Sequence, residues 1–297
     1  MTSYGTPRGT SNPWSDLNRP PLNAAALRRA VVVPGALWSD LDVVAATGST
    51  NSDLAAKAAS GAPEGTVLVA EEQTSGRGRL DRRWSAPPRS GLFFSVLLRP
   101  GGPGGAGLTP VPAHRWGWLP LLTGVAVATA LSRAAGVDTA LKWPNDLLLT
   151  ADGEERKTGG ILAERVGEDG VVIGIGVNVS LEAGELPVPT ATSLALAGAP
   201  GTDRDPLLRA VLRSLDDWYG RWREADGDPD RCRLRQTYAA GCATLGRQVR
   251  AELPGGRELS GTAVAVDGDG RLVIAGPDGE QAVGAGDVIH LRPTAEE

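Results

Sequence analysis

The sequence predicts an α+β fold, a mixed sheet with helices followed by a small β-barrel. Through the central region strand-like runs alternate with helical ones, and from Gly246 onward short alternating strands separated by glycine-rich turns take over. Bulk agrees with this: 297 residues that are 41% apolar suffice for one or two packed cores.

The elements follow in order. Residues 1–36 are rich in Pro, Ser, Asn and Gly, with one short helical patch at 22–30, and read as a flexible N-terminal tail. Residues 42–46 read as a strand, and Thr50 with Asp53 forms a capping-box pattern for a helix reaching residue 60. Strands at 66–71 and 92–98 flank the stretch 76–84, and the glycines of 101–107 mark a flexible loop. The uncharged run 116–132 approaches the length of a membrane span. Pro120, Gly124 and its many alanines make it a buried helix instead. Strands are expected at 140–143, 160–165 and 171–179. Asp205-Pro206 then opens a helix whose apolar face carries Leu207, Leu208, Val211, Leu212, Leu215, Trp218 and Trp222. Short strands at 249–253, 259–266, 272–275, 281–283 and 288–291 complete the chain. The expected division is a tail at 1–36, a catalytic domain at 37–245 and a small β domain at 246–297.

Composition narrows the function. A net charge of −5 argues against a general nucleic-acid binder, so local arginine clusters serve local anions. Cys232 and Cys242 lack the paired spacing of a zinc site, and nothing like a secretory signal opens the chain, so a reducing cytoplasm is the expected location. The densest anion-binding signal is the run from Gly76 to Trp84, where Gly76 and Gly78 let backbone N–H groups turn inward and Arg77, Arg79, Arg82 and Arg83 add planar cationic forks. Alone, that run could equally be a solvated basic turn or an RNA-binding segment. Lysine usage adds to it. Of the 30 basic residues only Lys57, Lys142 and Lys157 are lysine, and two of these sit in dense polar motifs, where a compact ammonium does what arginine cannot. Gln73, the sole glutamine before residue 236, directly precedes the loop.

Taken together, Ser49-Thr50-Asn51, the stretch from Gln73 to Trp84, Lys142-Trp143-Pro144-Asn145-Asp146, Lys157-Thr158-Gly159-Gly160-Ile161-Leu162 and Gly174-Ile175-Gly176-Val177-Asn178-Val179 resemble the ordered motifs of the biotin protein ligases. The likeness runs from about residue 42 to residue 292. It implies a catalytic fold shared with the class II aminoacyl-tRNA synthetases and an SH3-like C-terminal barrel. The implied reaction activates biotin with ATP, in the presence of Mg²⁺, to biotinyl-5'-AMP and transfers biotin to a lysine of a biotin carboxyl carrier domain of an acyl-CoA carboxylase. It further implies Lys157, Arg79, Arg82 and Lys142 as catalytic cations, with Lys157 bridging the biotin carboxylate and the α-phosphate. Ser49, Thr50, Gln73, Arg77 (through its backbone) and Gly160 are implied at biotin. Gly76, Gly78, Arg79, Trp84, Asn145 and Asn178 are implied at the nucleotide, and Asp146 at the metal. Gln73 suits a ureido ring because its amide both donates and accepts, as a urea does. Asp81 departs from the glycine many members carry, which lowers the positive charge of the loop. Some members add an N-terminal helix-turn-helix, but the tail is too short and too poor in apolar periodicity for one, so neither DNA nor a membrane is an expected partner. A lipoate-protein ligase and a non-catalytic biotin-sensing protein are the competing readings. Class II aminoacyl-tRNA synthetases share the sheet, and their need for a basic tRNA surface fits this acidic chain poorly.

Overall fold

A computed structural model describes residues 19–80, 82–103, 107–253, 256–284 and 287–290. Residues 1–18, Asp81 and part of the 101–107 loop lie outside the described residues.

Seven strands form the main sheet: β1 (Asp40–Val44), β2 (Thr66–Ala70), β5 (Gly91–Leu98), β6 (Ala140–Lys142), β7 (Asp146–Ala151), β8 (Glu154–Val166) and β9 (Gly170–Asn178), in the order β1-β2-β5-β9-β8-β7-β6. Only β1 and β2 run parallel; the other neighbours are antiparallel, which makes the sheet mixed as expected. A two-residue hairpin, β3 (Gly76–Arg77) with β4 (Arg83–Trp84), stands between β2 and β5. All of β2 and β5 is buried, as strands covered on both faces must be. One face packs on α3 (Trp118–Ala135) and α4 (Arg204–Glu224). The other carries α2 (Thr50–Ala59), whose Leu54 and Ala58 meet Leu68, Leu97 and Val172.

The apolar run expected as a buried helix is α3. It is long and apolar enough to cross a membrane by length and composition, yet 67% of its most apolar window is buried inside the molecule. It ends at Gly136, whose φ of 69° is the left-handed conformation that glycine adopts at least cost.

Period-two geometry explains where the cavity opens. Along β9, Val172, Gly174, Gly176 and Asn178 share the α2 face, while Ile173, Ile175 and Val177 join the core beneath α3. On that face a Cβ at Gly174 would strike the Asn51 side chain of α2 and one at Gly176 the Trp84 indole, so these two glycines leave a trough on the sheet.

Two expectations need correction. Residues 19–36 are not a tail. Their helix α1 (Ala24–Val31) buries Leu27 and Val31 in the main core, Arg28 donates to the Leu41 carbonyl, Leu22 N–H donates to Glu71 at 2.6 Å, and Arg19 pairs with Glu185. The Pro- and Asn-rich composition hid a four-residue spacing, Leu27 to Val31, that fits one helix turn against β1. The second correction concerns α2. Ser49 is its N-cap, without a side-chain cap bond, and Asp53 accepts from Thr47. The Thr50 hydroxyl therefore turns inward, toward Gln73 and Ser95.

The C-terminal strands β10 (Gln248–Leu253), β11 (Arg257–Val266), β12 (Leu272–Gly276), β13 (Gly279–Val283) and β14 (Asp287–His290) form an antiparallel sheet ordered β13-β12-β11-β10-β14, consistent with an SH3-like domain. Indole N–H groups stitch it to the main domain: Trp118 donates to the Gly268 carbonyl at 3.0 Å and Trp143 to that of Gly270 at 3.1 Å. Strand β10 also shares core with the main domain through Val249 and Ala251.

Candidate active site

A cavity of about 680 Å³ lies over the glycine trough, beneath the β3–β4 hairpin. Every site residue expected from the sequence lines it except Gly76. Gly76 sits at the base of the hairpin, where a Cβ would lie 2.5 Å from the Trp84 carbonyl, so its role is to let the two strands meet.

At one end are Ser49, Thr50 and Gln73. The Thr50 backbone N–H donates to Gln73 Oε1 at 2.8 Å, fixing that amide against the first turn of α2. Trp84 forms a wall. A Cβ placed on Gly176 would come within 2.9 Å of its indole, so that glycine is what lets the ring approach β9, whereas one on Gly160 would meet the ring at an ordinary contact distance of 3.6 Å. The indole Nε1 is buried and has no hydrogen-bond partner among the described residues.

Cations gather at the other end. Lys157 reaches the cavity from β8, held by parallel bridging to Ala191 and a backbone bond to the Thr190 carbonyl at 2.8 Å. Strand β8 bulges between Lys157 and Gly159 where it pairs with β7, which re-aims the lysine. Its ammonium lies 2.6 Å from the Asp146 carboxylate and 6.0 Å from the Trp84 ring. Arg79 donates to Asn145 Oδ1 at 3.2 Å, and the Asn145 amide donates to the Ile161 carbonyl at 3.0 Å. Hairpin and β6–β7 turn are thereby tied across the cavity. Arg82 and Lys142 line the same region. Asn178 lies buried, donating to the Thr192 carbonyl at 3.0 Å. Among the described residues no cluster of three His, Cys, Asp or Glu side chains could hold a metal by itself. A single carboxylate such as Asp146 still fits Mg²⁺, which is bound by one or two carboxylates together with substrate phosphates.

Sequence reasoning missed three contributors. Asn51 and Glu164 line or brace the cavity from α2 and β8. Asn51 was visible in the Ser49-Thr50-Asn51 motif, whereas Glu164, one of 35 acidic residues, carried no mark. The third is His290, which with Ile289 enters the cavity from β14 of the other domain. Its Nε2 is 3.0 Å from Thr244 Oγ1, which also accepts from the Trp143 backbone N–H, and its Nδ1 is 3.4 Å from Arg247. Burial, then the nearby Lys142 and Arg247 charges, push the imidazole down to about 4, against weaker support from Glu155 and Asp146. In the unfolded chain it titrates near 6.5, so between the two values the unfolded state binds more protons and stability falls as pH falls. With the ring partly exposed, and the effect therefore partly screened, the loss between pH 7 and pH 5 is about 1 kcal/mol. His290→Gln removes this contribution, and urea unfolding at the two pH values is expected to show a smaller difference for the variant than for wild type.

The comparisons match this arrangement. The profile of the biotin/lipoate A/B protein ligase family matches residues 44–178, and that of the biotin protein ligase C-terminal domain matches 244–291. Their order defines the class: a ligase whose catalytic domain is followed by a small accessory domain. The chain is 42% identical over 281 residues to the biotin–[acetyl-CoA-carboxylase] ligase of Mycobacterium tuberculosis, covering 93% of this chain and 98% of that relative. It is 33% identical to the bifunctional ligase/repressor BirA of Bacillus subtilis, over 83% of this chain and 72% of the relative. Among solved structures, the biotin protein ligase of Aquifex aeolicus in complex with biotin and ATP superposes with a TM-score of 0.67 at 27% identity, covering 86% of this chain and all of the other. The chain belongs to the biotin protein ligase family.

Proposed function

We propose that the chain activates biotin with ATP to biotinyl-5'-AMP and transfers biotin to a specific lysine of a biotin carboxyl carrier domain of an acyl-CoA carboxylase. The observation that carries the reading is the convergence on one cavity of a urea-compatible pocket at Ser49, Thr50 and Gln73 with a cationic end at Lys157, Lys142, Arg79 and Arg82. Residues 19–245 act as the catalytic domain and 246–297 as the SH3-like domain, which lends Ile289 and His290 to the cavity.

Biotin's carboxylate does not react with amines. A carboxylate oxygen therefore attacks the α-phosphorus of ATP, the bond to the bridging oxygen breaks, and pyrophosphate leaves. The amine of the carrier lysine then attacks the acyl carbon, AMP departs, and the amine loses its proton. Both steps concentrate negative charge near one phosphorus, so preorganised cations are the main catalytic resource. Lys157, at the cationic end of the cavity, bridges the biotin carboxylate to the α-phosphate. Asp146 keeps that ammonium aimed into the cavity, and a phosphate arriving beside it competes for the contact. When Mg²⁺ accompanies the nucleotide, Asp146 is the carboxylate that would hold it, supplying charge neutralisation at the phosphates. Lys142 and Arg82 serve the leaving pyrophosphate. Arg79, braced by Asn145, holds the adenylate phosphate. Trp84 roofs the ligand, Gly78 and the Arg77 backbone approach it closely, and Asn145 with Asn178 borders the adenine. The cytoplasm is the location proposed with this reading.

Arg79 gives the reading a direct consequence. A charge-assisted contact contributes about 1.5 to 3 kcal/mol, so Arg79→Gly is expected to release the adenylate roughly ten- to a hundredfold faster. Leaked anhydride labels bystander lysines, so biotin appearing on added albumin scores it. Unchanged retention would show that Arg79 does not hold the phosphate. The reading as a whole is tested by offering biotin or lipoate with ATP and a carrier domain, and measuring which acid becomes protein-bound. Biotin on the carrier lysine is expected, whereas lipoate transfer, or binding without transfer, would overturn it.

A further inference from the structure

We propose that Glu164, on β8, is a positioning residue of the biotin pocket: its carboxylate grips the Arg77 guanidinium of the hairpin and, through the Asn51 amide, sets the direction of hydrogen bonding along Asn51, Ser95 and Thr50 so that Thr50 and Gln73 face the ligand as acceptors. This rests on the biotin reading above.

The first half is a bidentate contact. Arg77 Nη2 is 2.9 Å from Glu164 Oε1 and Nη1 is 3.3 Å from Oε2, a fork-to-fork pairing that ties the hairpin to a central strand. Both side chains keep some exposure, 48% for the arginine and 28% for the glutamate, so the pair is a moderate tie.

The second half follows from counting protons. Asn51 Nδ2 lies 2.8 Å from Glu164 Oε2 and 3.2 Å from the Leu162 carbonyl, two groups that only accept. The amide nitrogen must face them, which turns Asn51 Oδ1 toward Ser95 Oγ, 2.6 Å away. Ser95 is fully buried and has one hydroxyl proton, and Asn51 Oδ1 has none to give, so the serine donates to it. The contact between Ser95 Oγ and Thr50 Oγ1, at 2.7 Å, must then take its proton from Thr50. That hydroxyl is no longer free to donate into the cavity or to Gln73 Oε1, 3.1 Å from it. Thr50 Oγ1 and Gln73 Oε1 therefore offer lone pairs to a ligand with N–H groups, as a cyclic urea has. With Glu164 replaced by an amide, only the Leu162 carbonyl still demands the Asn51 nitrogen, so the order of protons is held less firmly.

The test measures biotin affinity by calorimetry and hydrogen exchange of the Gly76 and Arg77 amides, for wild type, Glu164→Gln, Arg77→Gln and the double variant. Each single change is expected to raise the biotin Kd about tenfold and to speed hairpin exchange about tenfold, with KM for biotin rising more than kcat falls. The double variant is expected to be no worse than the worse single one for exchange, since both remove the same tie. Unchanged exchange in Glu164→Gln would overturn the grip on Arg77. Faster exchange with an unchanged Kd would overturn the control of ligand hydrogen bonding. A wild type that binds no biotin would overturn the functional reading instead, and exchange would still score the grip by itself.

Discussion

Lys157→Ala is expected to slow formation of the biotinyl-adenylate at least about a hundredfold, because removing one preorganised charge from a transition state of this kind costs about 2.7 to 4 kcal/mol. The lysine's surroundings make the substitution informative. Its ammonium is held 2.6 Å from Asp146 and beneath Trp84, so the side chain is already placed in the cavity. Lys57, which pairs with Asp42 on an exposed face, is the control: Lys57→Ala is expected to change adenylate formation little. Rates of pyrophosphate release at saturating biotin and ATP separate the two, and comparable losses in both variants would remove Lys157 from its assigned role.

Leu27→Ala is expected to destabilise the fold by about 2 to 5 kcal/mol, the usual range for truncating a fully buried leucine. Leu27 is 0% exposed and its helix is fastened at both ends, by Asn23 capping Ala26 N–H and by Arg28 on the Leu41 carbonyl. Urea denaturation followed by tryptophan fluorescence measures the change. A loss under about 0.5 kcal/mol, the scale of ordinary surface substitutions, would mean that α1 does not belong to the core. Deleting residues 1–36 consequently removes a core element: Leu22, Leu27 and Val31 leave together, and the buried Arg204–Glu71 pair loses the Leu22 N–H and the Pro20 carbonyl it binds.

Local chemistry was the part of the fold and site most readable from sequence. Strands β2 and β5 announce themselves because continuous burial demands continuous apolar residues, and the 76–84 stretch stands out as an anion-binding loop through its glycines and arginines, although its pairing as a hairpin was not foreseen. Strand β7 escaped detection, since Leu147, Leu148 and Leu149 follow the turn motif so closely that the motif masked the strand. The start of β8 at Glu154 was hidden for a related reason: a charged run reads as a turn until pairing with β7 is known. Residues that act across long sequence separations stayed invisible. Glu164 meets Arg77 from 87 positions away, and His290 reaches the cavity from the other domain. Composition also misled at α1, where polar neighbours outweighed the apolar contact of Leu27 and Val31.

The account rests on adenylate formation in this one cavity, and a single-turnover experiment addresses that most directly. The chain, incubated with biotin, ATP and Mg²⁺ but no carrier, is quenched and assayed for pyrophosphate and for biotinyl-5'-AMP retained on the protein. The account predicts close to one equivalent of each per active chain, abolished by omitting biotin and consumed when a carrier domain is added. Pyrophosphate release independent of biotin, or adenylate that forms equally well in Lys157→Ala, would contradict it.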